Sequence, residues 1–192
     1  MIKYILVSIF AILCLSTAES KIQWGRCPAV NSKISALELG KYLGHWYEVG
    51  RAKTIPFQKG DCDQATYSLN EDGSVRVFNT ELREGGKWTT ALGRATTTQI
   101  PYQLEITFSE SWIGKLFKGD YRVIDTDYDS FSLVYSCSDF ILFRMEFVWI
   151  LSRTPELPSE KLNEITELIN DKLYIPTENI RFTNQNKELC GY

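Results

Sequence analysis

Eight short stretches of strand-forming residues, separated by turn-forming residues, lie between residues 44 and 151. Residues 103–108 alternate apolar and polar side chains, which indicates a strand with one buried face. Turns are indicated by residues 70–73 and 84–86, which are rich in Asn, Asp and Gly. Strands at this spacing favour an up-and-down barrel or a two-sheet sandwich. The predicted strands are residues 44–50, 65–69, 74–79, 88–98, 103–108, 121–124, 131–137 and 146–151.

A single long helix is predicted after the last strand. Ser159 is a favourable N-cap that follows Pro158, and Pro176 ends the helical pattern. Apolar residues at helical spacing form one stripe, which predicts packing against the outside of the sheet. The stripe consists of Leu162, Ile165, Leu168, Ile169 and Leu173.

The amino-terminal residues have the pattern of a secretory signal. Lys3 precedes an apolar run at residues 4–15, and small residues follow up to Ala18. A run of about 12 residues is too short for a helix that crosses a hydrocarbon layer of about 30 Å. Cleavage is expected after Ala18, with Ser20 as the alternative. The chain is therefore divided into a signal peptide, residues 1–18, and a single domain, residues 19–192.

The cysteines and the charge narrow the class of protein. The chain has five cysteines. Cys14 is expected to leave with the signal, and the remainder predict two disulfide bonds whose pairing the spacing does not decide. The net charge of −3 argues against nucleic-acid binding. The single histidine, His45, excludes metal sites built on two histidines, and no metal or cofactor is expected.

Three short motifs, in order along the strand pattern, resemble the signature regions of the lipocalins. Gly44-x-Trp46 opens the first strand, Thr126-Asp127-Tyr128 lies in a turn, and Arg153 follows the eighth strand. In detail the chain is most similar to the group that contains apolipoprotein D and the insect bilin-binding proteins. The similarity rests on residues 41–48, 133–137 and 147–153 and covers nearly all of the predicted domain.

This resemblance implies an all-β fold, an eight-stranded antiparallel up-and-down barrel with one C-terminal α-helix packed outside. A closed barrel of this size holds one small ligand. The resemblance places Trp46 and Arg153 at one end, where a cation–π contact between them closes the barrel. The disulfide pairs that it implies are Cys27–Cys137 and Cys62–Cys190.

Strand alternation and the resemblance together predict which side chains face the interior. With Trp46 inward, alternation places Glu48 inward and His45 outward. The predicted lining is mostly apolar, as in small-molecule pockets, with Glu48, Asn79 and Glu81 as candidates to orient a polar group. The predicted ligand-binding residues are Glu48, Tyr67, Val77, Asn79, Glu81, Ala91, Leu104, Ile106, Phe108, Tyr121, Val123, Val134, Ser136, Met145, Phe147 and Trp149, and Thr89 and Leu151 are also predicted to face inward.

The predicted lining contains no arginine or lysine, which disfavours a fatty acid bound by its carboxylate. The leading hypothesis is a secreted carrier that binds a neutral or amphipathic molecule of the sterol, retinoid, lipid or tetrapyrrole class. One alternative is a protective or antioxidant protein that acts at lipid surfaces, with Met145 as the methionine left after signal removal. An enzyme on the same barrel is not expected, because His45 faces out and the cysteines are predicted to be bonded.

Loops at the end opposite Trp46 are unusually apolar. They carry residues 55–57, 112–117 and 140–143. Apolar loops beside basic residues predict contact with a membrane or lipoprotein surface. A lid over the cavity and a dimer interface are the alternatives, and a monomer or weak dimer is expected. The basic residues beside these loops are Lys53, Lys59, Lys115, Lys118 and Arg144.

Overall fold

Antiparallel strands close into a barrel in the computed structural model, which describes residues 23–108 and 119–192. Within these ranges the short strand β1 (Gln23–Trp24) is followed by the barrel strands β2 (Gly44–Ala52), β3 (Asp61–Leu69), β4 (Val75–Arg83), β5 (Lys87–Thr97), β6 (Gln103–Phe108), β7 (Gly119–Thr126), β8 (Phe131–Asp139) and β9 (Phe143–Ser152). Each barrel strand pairs with the next one, and β9 also pairs with β2, which closes the cylinder. The predicted barrel is confirmed, and the sandwich is not formed.

The turn between β3 and β4 shows how local sequence sets the register. Gly73 has a φ of +80°, and its N–H donates to the carbonyl of Asn70. Glycine adopts this left-handed conformation without steric cost. The carboxylate of Asp72 accepts hydrogen bonds from the backbone N–H and the hydroxyl of Ser74. A turn held in this way fixes which alternate side chains of the two strands face the interior.

The long helix α2 (Ser159–Leu173) packs on the outside of the barrel, as predicted. Ile165 and Ile169 belong to one buried cluster with Leu133 and Ile150 on the outer face of the sheet. The apolar stripe therefore covers outward-facing residues of β8 and β9, and α2 places no side chain of this stripe inside the barrel.

The N-terminus of α2 differs from the prediction. Ser159 is the first helical residue, and Pro158 occupies the N-cap position with an extended ψ of 139° and no side-chain cap. The prediction of Ser159 as N-cap is therefore wrong. The ring of Pro158 holds φ at −54°, and proline has no N–H that would need a partner at a helix start. At the other end Tyr174, with φ at +55°, ends the helix before Pro176.

Several short elements lie outside the predicted pattern because each has only three or four residues, too few for a periodicity to be recognised. They are α1 (Leu39–Tyr42), a 3-10 turn (Thr177–Asn179), β10 (Ile180–Phe182) and α3 (Lys187–Cys190). β2 pairs with β3 through residues 44–47, whereas residues 50–52 of β2 pair with β10 instead. The C-terminal segment thus replaces β3 beside the second half of β2. We call this segment, residues 180–185, the seam.

Both disulfide pairs that the resemblance implies are present. Cys27–Cys137 ties the N-terminal segment to β8, and Cys62–Cys190 ties α3 to β3 beside the seam. No helix in the described part of the chain is long and apolar enough to span a membrane. The predicted signal peptide, residues 1–18, lies outside the described residues.

Candidate ligand-binding site

One end of the barrel is closed by Trp46 and Arg153. The carbon of the Arg153 guanidinium lies 3.7 Å from the centre of the Trp46 ring, and the indole is fully buried. Arg153 also donates hydrogen bonds to the carbonyls of His45 (2.8 Å), Lys41 (2.8 Å) and Tyr128 (3.0 Å). These bonds tie the start of β2 to the turn after β7, so this end is sealed by a rigid structural contact.

Three tyrosines cover Trp46 and form the floor of the interior. The hydroxyl of Tyr121 lies 2.7 Å from that of Tyr42 and 2.8 Å from that of Tyr67. The hydroxyl of Ser132 extends this series of hydrogen bonds, at 3.0 Å from the hydroxyl of Tyr42. Burial raises the pKa of Tyr42 to about 12 and moves the pKa of the other two tyrosines upward as well. The floor is therefore made of neutral hydroxyl groups bonded to one another.

The strand register places the predicted lining residues on one inner face. Residues directly opposite each other on neighbouring strands share a face, and such pairs link Tyr67 to Val77 and Asn79 to Ala91. Their role as ligand contacts stays a prediction. The residues that the register assigns to the inner face are Glu48, Tyr67, Val77, Asn79, Glu81, Thr89, Ala91, Leu104, Ile106, Phe108, Tyr121, Val123, Val134, Ser136, Met145, Phe147, Trp149 and Leu151.

Burial changes along the inner face from the floor to the opposite end, which we call the mouth. Val123 and Val134 have no exposed surface. Asn79, Phe108 and Trp149 point inward as well, yet they are only half-buried. An inward side chain in a closed cylinder keeps exposed surface only where the interior is open to solvent. Solvent therefore reaches part of the inner face above the floor, as a ligand-binding site requires.

The prediction that no arginine or lysine faces inward is wrong, because Arg51 lies inside the barrel. A β-bulge between Glu48 and Gly50 shifts the alternation of β2 by one residue. Arg51 is consequently 1% exposed, and its guanidinium contacts Glu48, Asp63 (3.1 Å) and the carbonyl of Gly60 (2.8 Å). Simple alternation from Trp46 would have placed it outside.

Arg51, Glu48 and Asp63 form the centre of a buried hydrogen-bond network, which we call the carboxylate network. Thr183 of the seam donates to Glu48 at 2.6 Å. Gln185 donates at 2.8 Å to the backbone carbonyls of both Glu48 and Asp63. The seam is thus bonded directly to the inner face, and the protein itself satisfies the charges of this network.

Glu81 is held in a similar way, although it was predicted as a ligand contact. It is buried, it accepts hydrogen bonds from Arg83 (2.6 Å) and from the N–H of Gly60 (3.3 Å), and it lies on the inner face. Among the three polar residues predicted to orient a ligand, Asn79 differs from both glutamates. Its carbonyl oxygen is buried and has no hydrogen-bond partner among the described residues.

The pKa of Asp63 is raised from its ordinary value of 3.8 to about 7, mainly by burial and then by the charge of Glu48. Burial also raises the pKa of Glu48. Desolvation exceeds the stabilisation that the single cation, Arg51, gives to two carboxylates. The folded protein therefore holds a proton on Asp63 at pH values where the unfolded chain has lost it.

Because Asp63 retains this proton in the folded state, we expect the free energy of unfolding to depend on pH. Between about pH 4 and pH 7 the folded state binds more protons than the unfolded state, so the free energy of unfolding falls as the pH rises. Asp63→Asn keeps a neutral side chain at this position and is expected to flatten the fall. Urea unfolding at several pH values from 5 to 8 measures the slope. Identical slopes for the variant and the wild type would contradict the assignment to Asp63.

The mouth is apolar, but not all of the predicted loop residues are on its surface. Ile55 is 4% exposed and packs in the outer core under α2, so its predicted place on the rim is wrong. Phe143 belongs to β9 and stacks on Phe140, with ring centres 4.6 Å apart. Ile141 and Leu142 are 98% and 64% exposed. Residues 112–117, with Lys115, and Lys118 lie outside the described residues.

Trp24 adjoins these exposed residues. It pairs with Phe143 in the sheet, and the next N–H in the chain, that of Gly25, donates to the carbonyl of Leu142. Trp24 is 78% exposed. We call Trp24, Ile141 and Leu142 the rim patch. Arg144, predicted as a flanking cation, instead bonds to Glu146 and to the carbonyl of Trp24, whereas Lys53 and Lys59 are exposed.

Residues typical of catalysis are used structurally. His45 lies on the outer face, where its Nδ1 is 3.2 Å from the hydroxyl of Thr66. The cysteines of the described residues are paired in disulfides. In the same residues no group of three or more His, Cys, Asp or Glu side chains is placed to hold a metal ion. The arrangement favours binding over chemistry.

Five polar residues of the inner network were missed by the sequence prediction. Gly50 gave one usable signal, since an isolated glycine within a strand often marks a bulge. With a bulge placed there, strand alternation would have predicted that Arg51 faces inward. No local pattern indicates that residues more than a hundred positions away return to β2. The missed residues are Arg51, Gln58, Asp63, Thr183 and Gln185.

A closed barrel with a sealed floor and an open mouth defines a binding protein of the lipocalin class. The family described as "Lipocalin-like domain" matches residues 37–185, and the chain belongs to the lipocalin family. This membership supports a carrier that holds a small ligand in its barrel.

Relatives and solved structures agree with this assignment. The chain is 36% identical to apolipoprotein D of Cavia porcellus over 185 residues, which cover 94% of each chain. The structure of H1 crustacyanin from the lobster Homarus americanus is similar, with a TM-score of 0.73, 18% identity and coverage of 90% of this chain and 95% of that one. Insecticyanin from Manduca sexta has a TM-score of 0.73, 17% identity and coverage of 88% and 91%. At these identities the solved structures show the shared fold.

Proposed function

We propose that this protein is a secreted carrier that binds one small hydrophobic or amphipathic molecule non-covalently inside the barrel. The observation that carries the proposal is the set of inward yet half-buried side chains above a sealed floor, among them Phe108 and Trp149. Lipocalin membership supports the carrier function. The disulfide bonds, together with the signal pattern at residues 1–18, support secretion.

The charge of the inner face argues for a neutral ligand. Arg51 faces inward, but Glu48 and Asp63 both bind it, and Glu81, which is paired with Arg83, adds a further carboxylate. Above about pH 7, where Asp63 is ionised, three carboxylates face two cations, and a ligand carboxylate near this group would meet an excess of negative charge. Sterols, retinoids and neutral lipids suit this interior, and a tetrapyrrole suits it with its acidic groups toward the mouth. The half-buried Asn79 supplies a neutral polar group on the inner face.

Filling the interior is expected to weaken ligand binding strongly. Ala91→Trp places an indole on the inner face opposite Asn79, and we expect it to weaken retinol binding at least about tenfold because the ring occupies ligand volume. Retinol fluorescence measures the affinity.

The matched control for Ala91→Trp is Thr90→Trp, which puts the same ring on the exposed outer face one residue away. Equal retinol affinities for the two variants would contradict an internal site. Palmitic acid and hexadecanol test the charge argument on the wild type. Tighter or equal binding of the acid would count against a neutral ligand.

We propose further that the carrier docks on a membrane or lipoprotein surface through the rim patch. Trp24, Ile141 and Leu142 are large apolar side chains exposed together at the mouth, and Lys53 and Lys59 lie exposed on the neighbouring loop. Tryptophan and basic residues favour the interface between headgroups and acyl chains. Docking in this orientation would bring the open end of the barrel to the lipid from which a ligand is taken.

Charge at the rim patch is expected to prevent docking. The double variant Ile141→Glu, Leu142→Glu should lose binding to anionic phosphatidylcholine–phosphatidylserine liposomes and keep its retinol affinity, because the inner face is unchanged. Liposome flotation measures the first property. Leu69→Glu is the control, since Leu69 is 58% exposed at the closed end of the barrel. Loss of retinol binding alone would favour a lid, and a change in oligomeric state alone would favour a dimer interface.

A further inference from the structure

Gln58, from a loop at the mouth, extends into the barrel and accepts a hydrogen bond from the indole N–H of Trp149 on the inner face. Gln58 lies in the loop between β2 and β3, and its carbonyl oxygen accepts a hydrogen bond from Nε1 of Trp149 at 2.7 Å. Its amide nitrogen donates to Glu48 at 3.0 Å and to Asp63 at 3.2 Å. Gln58 thus joins the carboxylate network to the wall of the cavity.

The surroundings of Gln58 fix which end of its amide meets the indole. An indole N–H only donates, so the amide oxygen must face Trp149, and the amide nitrogen then faces Glu48 and Asp63. Reversal of the amide would place an NH2 group against the indole N–H.

Trp149 is in a position where a bound molecule would touch it. It lies on the inner face opposite Val134 and is half-buried. Its ring centre is 5.9 Å from that of Phe147, which in turn contacts Phe57 of the Gln58 loop at 5.5 Å. The same loop therefore covers an aromatic section of the upper cavity through Phe57 and satisfies its indole through Gln58.

We propose that the amide oxygen of Gln58 occupies the place of a ligand oxygen, and that Trp149 and Gln58 together select neutral ligands that carry a hydrogen-bond acceptor such as a ketone, ester or amide carbonyl. This inference rests on the proposed carrier function. A ligand that displaces Gln58 with a carbonyl restores the hydrogen bond of the indole. A hydrocarbon that displaces it leaves the indole N–H without its acceptor, which is costly.

The neighbouring charges restrict the acceptor to a neutral one. A ligand oxygen beside the indole would lie close to the group that contains Glu48 and Asp63, which Gln58 now bridges. Arg51 and Thr183 also contact these carboxylates, and the charge of Glu81 acts on Asp63 as well. A carboxylate ligand at this place would be repelled, whereas a carbonyl dipole carries no net charge.

The affinity test uses two probes that differ in one carbonyl group, 2-octanoylnaphthalene and 2-octylnaphthalene. The wild type is expected to prefer the ketone, and Trp149→Phe, which removes the N–H, is expected to reduce this preference about fivefold, the contribution typical of one neutral hydrogen bond. Trp88→Phe is the control, because Trp88 is exposed on the outer face. Titrations followed by calorimetry give the two dissociation constants for each variant.

A second measurement reports on Gln58 directly. In a 1H–15N spectrum the indole resonance of Trp149, assigned by its absence in Trp149→Phe, should move toward its unbonded position in Gln58→Met. The ketone should restore the shift in this variant, and the alkyl probe should not.

The two measurements separate the inference from the proposed function. An equal preference for the ketone in the wild type and Trp149→Phe would overturn the inference, as would an indole resonance that Gln58→Met leaves unchanged. If neither probe binds to the wild type, the carrier function itself fails, and the inference fails with it. The Trp149→Phe comparison holds even if Gln58→Met does not fold.

Discussion

Arg51→Met is expected to lower the free energy of unfolding by about 3–5 kcal/mol, because it leaves two buried carboxylates without their cation. Glu48 and Asp63 both contact the guanidinium, and each is less than 5% exposed. Methionine retains much of the apolar length of the side chain, so the loss reflects charge more than a cavity. Urea unfolding at pH 7.5, followed by circular dichroism, measures the change.

Arg94→Met is the matched control for the Arg51 variant. Arg94 pairs with Asp72, and about half of each side chain is exposed. Exposed ion pairs contribute little to stability, so the denaturant midpoint should stay close to that of the wild type. Adding Asp63→Asn to Arg51→Met should recover part of the loss. Equal midpoints for the Arg51 and Arg94 variants would show that the carboxylate network does not stabilise the barrel.

Removing the disulfide at the seam is the other change with a large expected effect. Cys62→Ser with Cys190→Ser opens a loop of 128 residues and should cost about 4–5 kcal/mol in the chain-entropy description of cross-links. The seam should also loosen, because Cys190 holds the segment that carries Thr183 and Gln185 against β2. Thermal unfolding measures the first effect, and amide exchange at Thr183, whose N–H donates to Val49, measures the second.

The second disulfide provides the comparison. Cys27–Cys137 spans 110 residues, so its removal should have nearly the same entropic cost. It lies away from the seam, and exchange at Thr183 should stay slow when it is replaced by two serines. If both double variants speed exchange at Thr183 equally, the seam depends on global stability and not on its own disulfide.

The strands were predictable because the sequence contains two local signals, the alternation of apolar and polar residues within strands and the turn-forming residues between them. Residues 103–108 alternate cleanly and match β6 (Gln103–Phe108). The turn at residues 70–73 contains the glycine and aspartate that its backbone requires. The strands near the mouth extend further than predicted, as β3 does by beginning at Asp61. There the pairing partner, and not the residue pattern, decides where the strand begins.

The interior was predictable wherever alternation continued from an anchor. Trp149 and Phe147 follow from Arg153 by steps of two along β9. Arg51 did not follow from Trp46, because the bulge at Gly50 intervenes. One extra residue in a strand reverses the face of every residue beyond it. The prediction of a lining without cations failed for this reason alone.

The contacts of the network lay beyond sequence reasoning for a different reason. Gln58 and Gln185 are polar residues in irregular segments, and no periodic pattern gives the direction of such side chains. Their positions depend on Arg51, on the path of the loop and on the disulfide at Cys190. The ligand selectivity proposed above depends on Gln58, so the amino-acid pattern alone indicates a carrier but not its ligand.

The contacts of the seam can form only late in the folding of the chain. Thr183 bonds to Glu48 across 135 positions, and Gln185 bonds to Asp63 across 122. Contacts between such distant parts of a chain form slowly. The ribosome must therefore finish almost the whole polypeptide before the carboxylate network is complete, and a nascent chain stalled ahead of this segment would present Arg51 and its carboxylates to water.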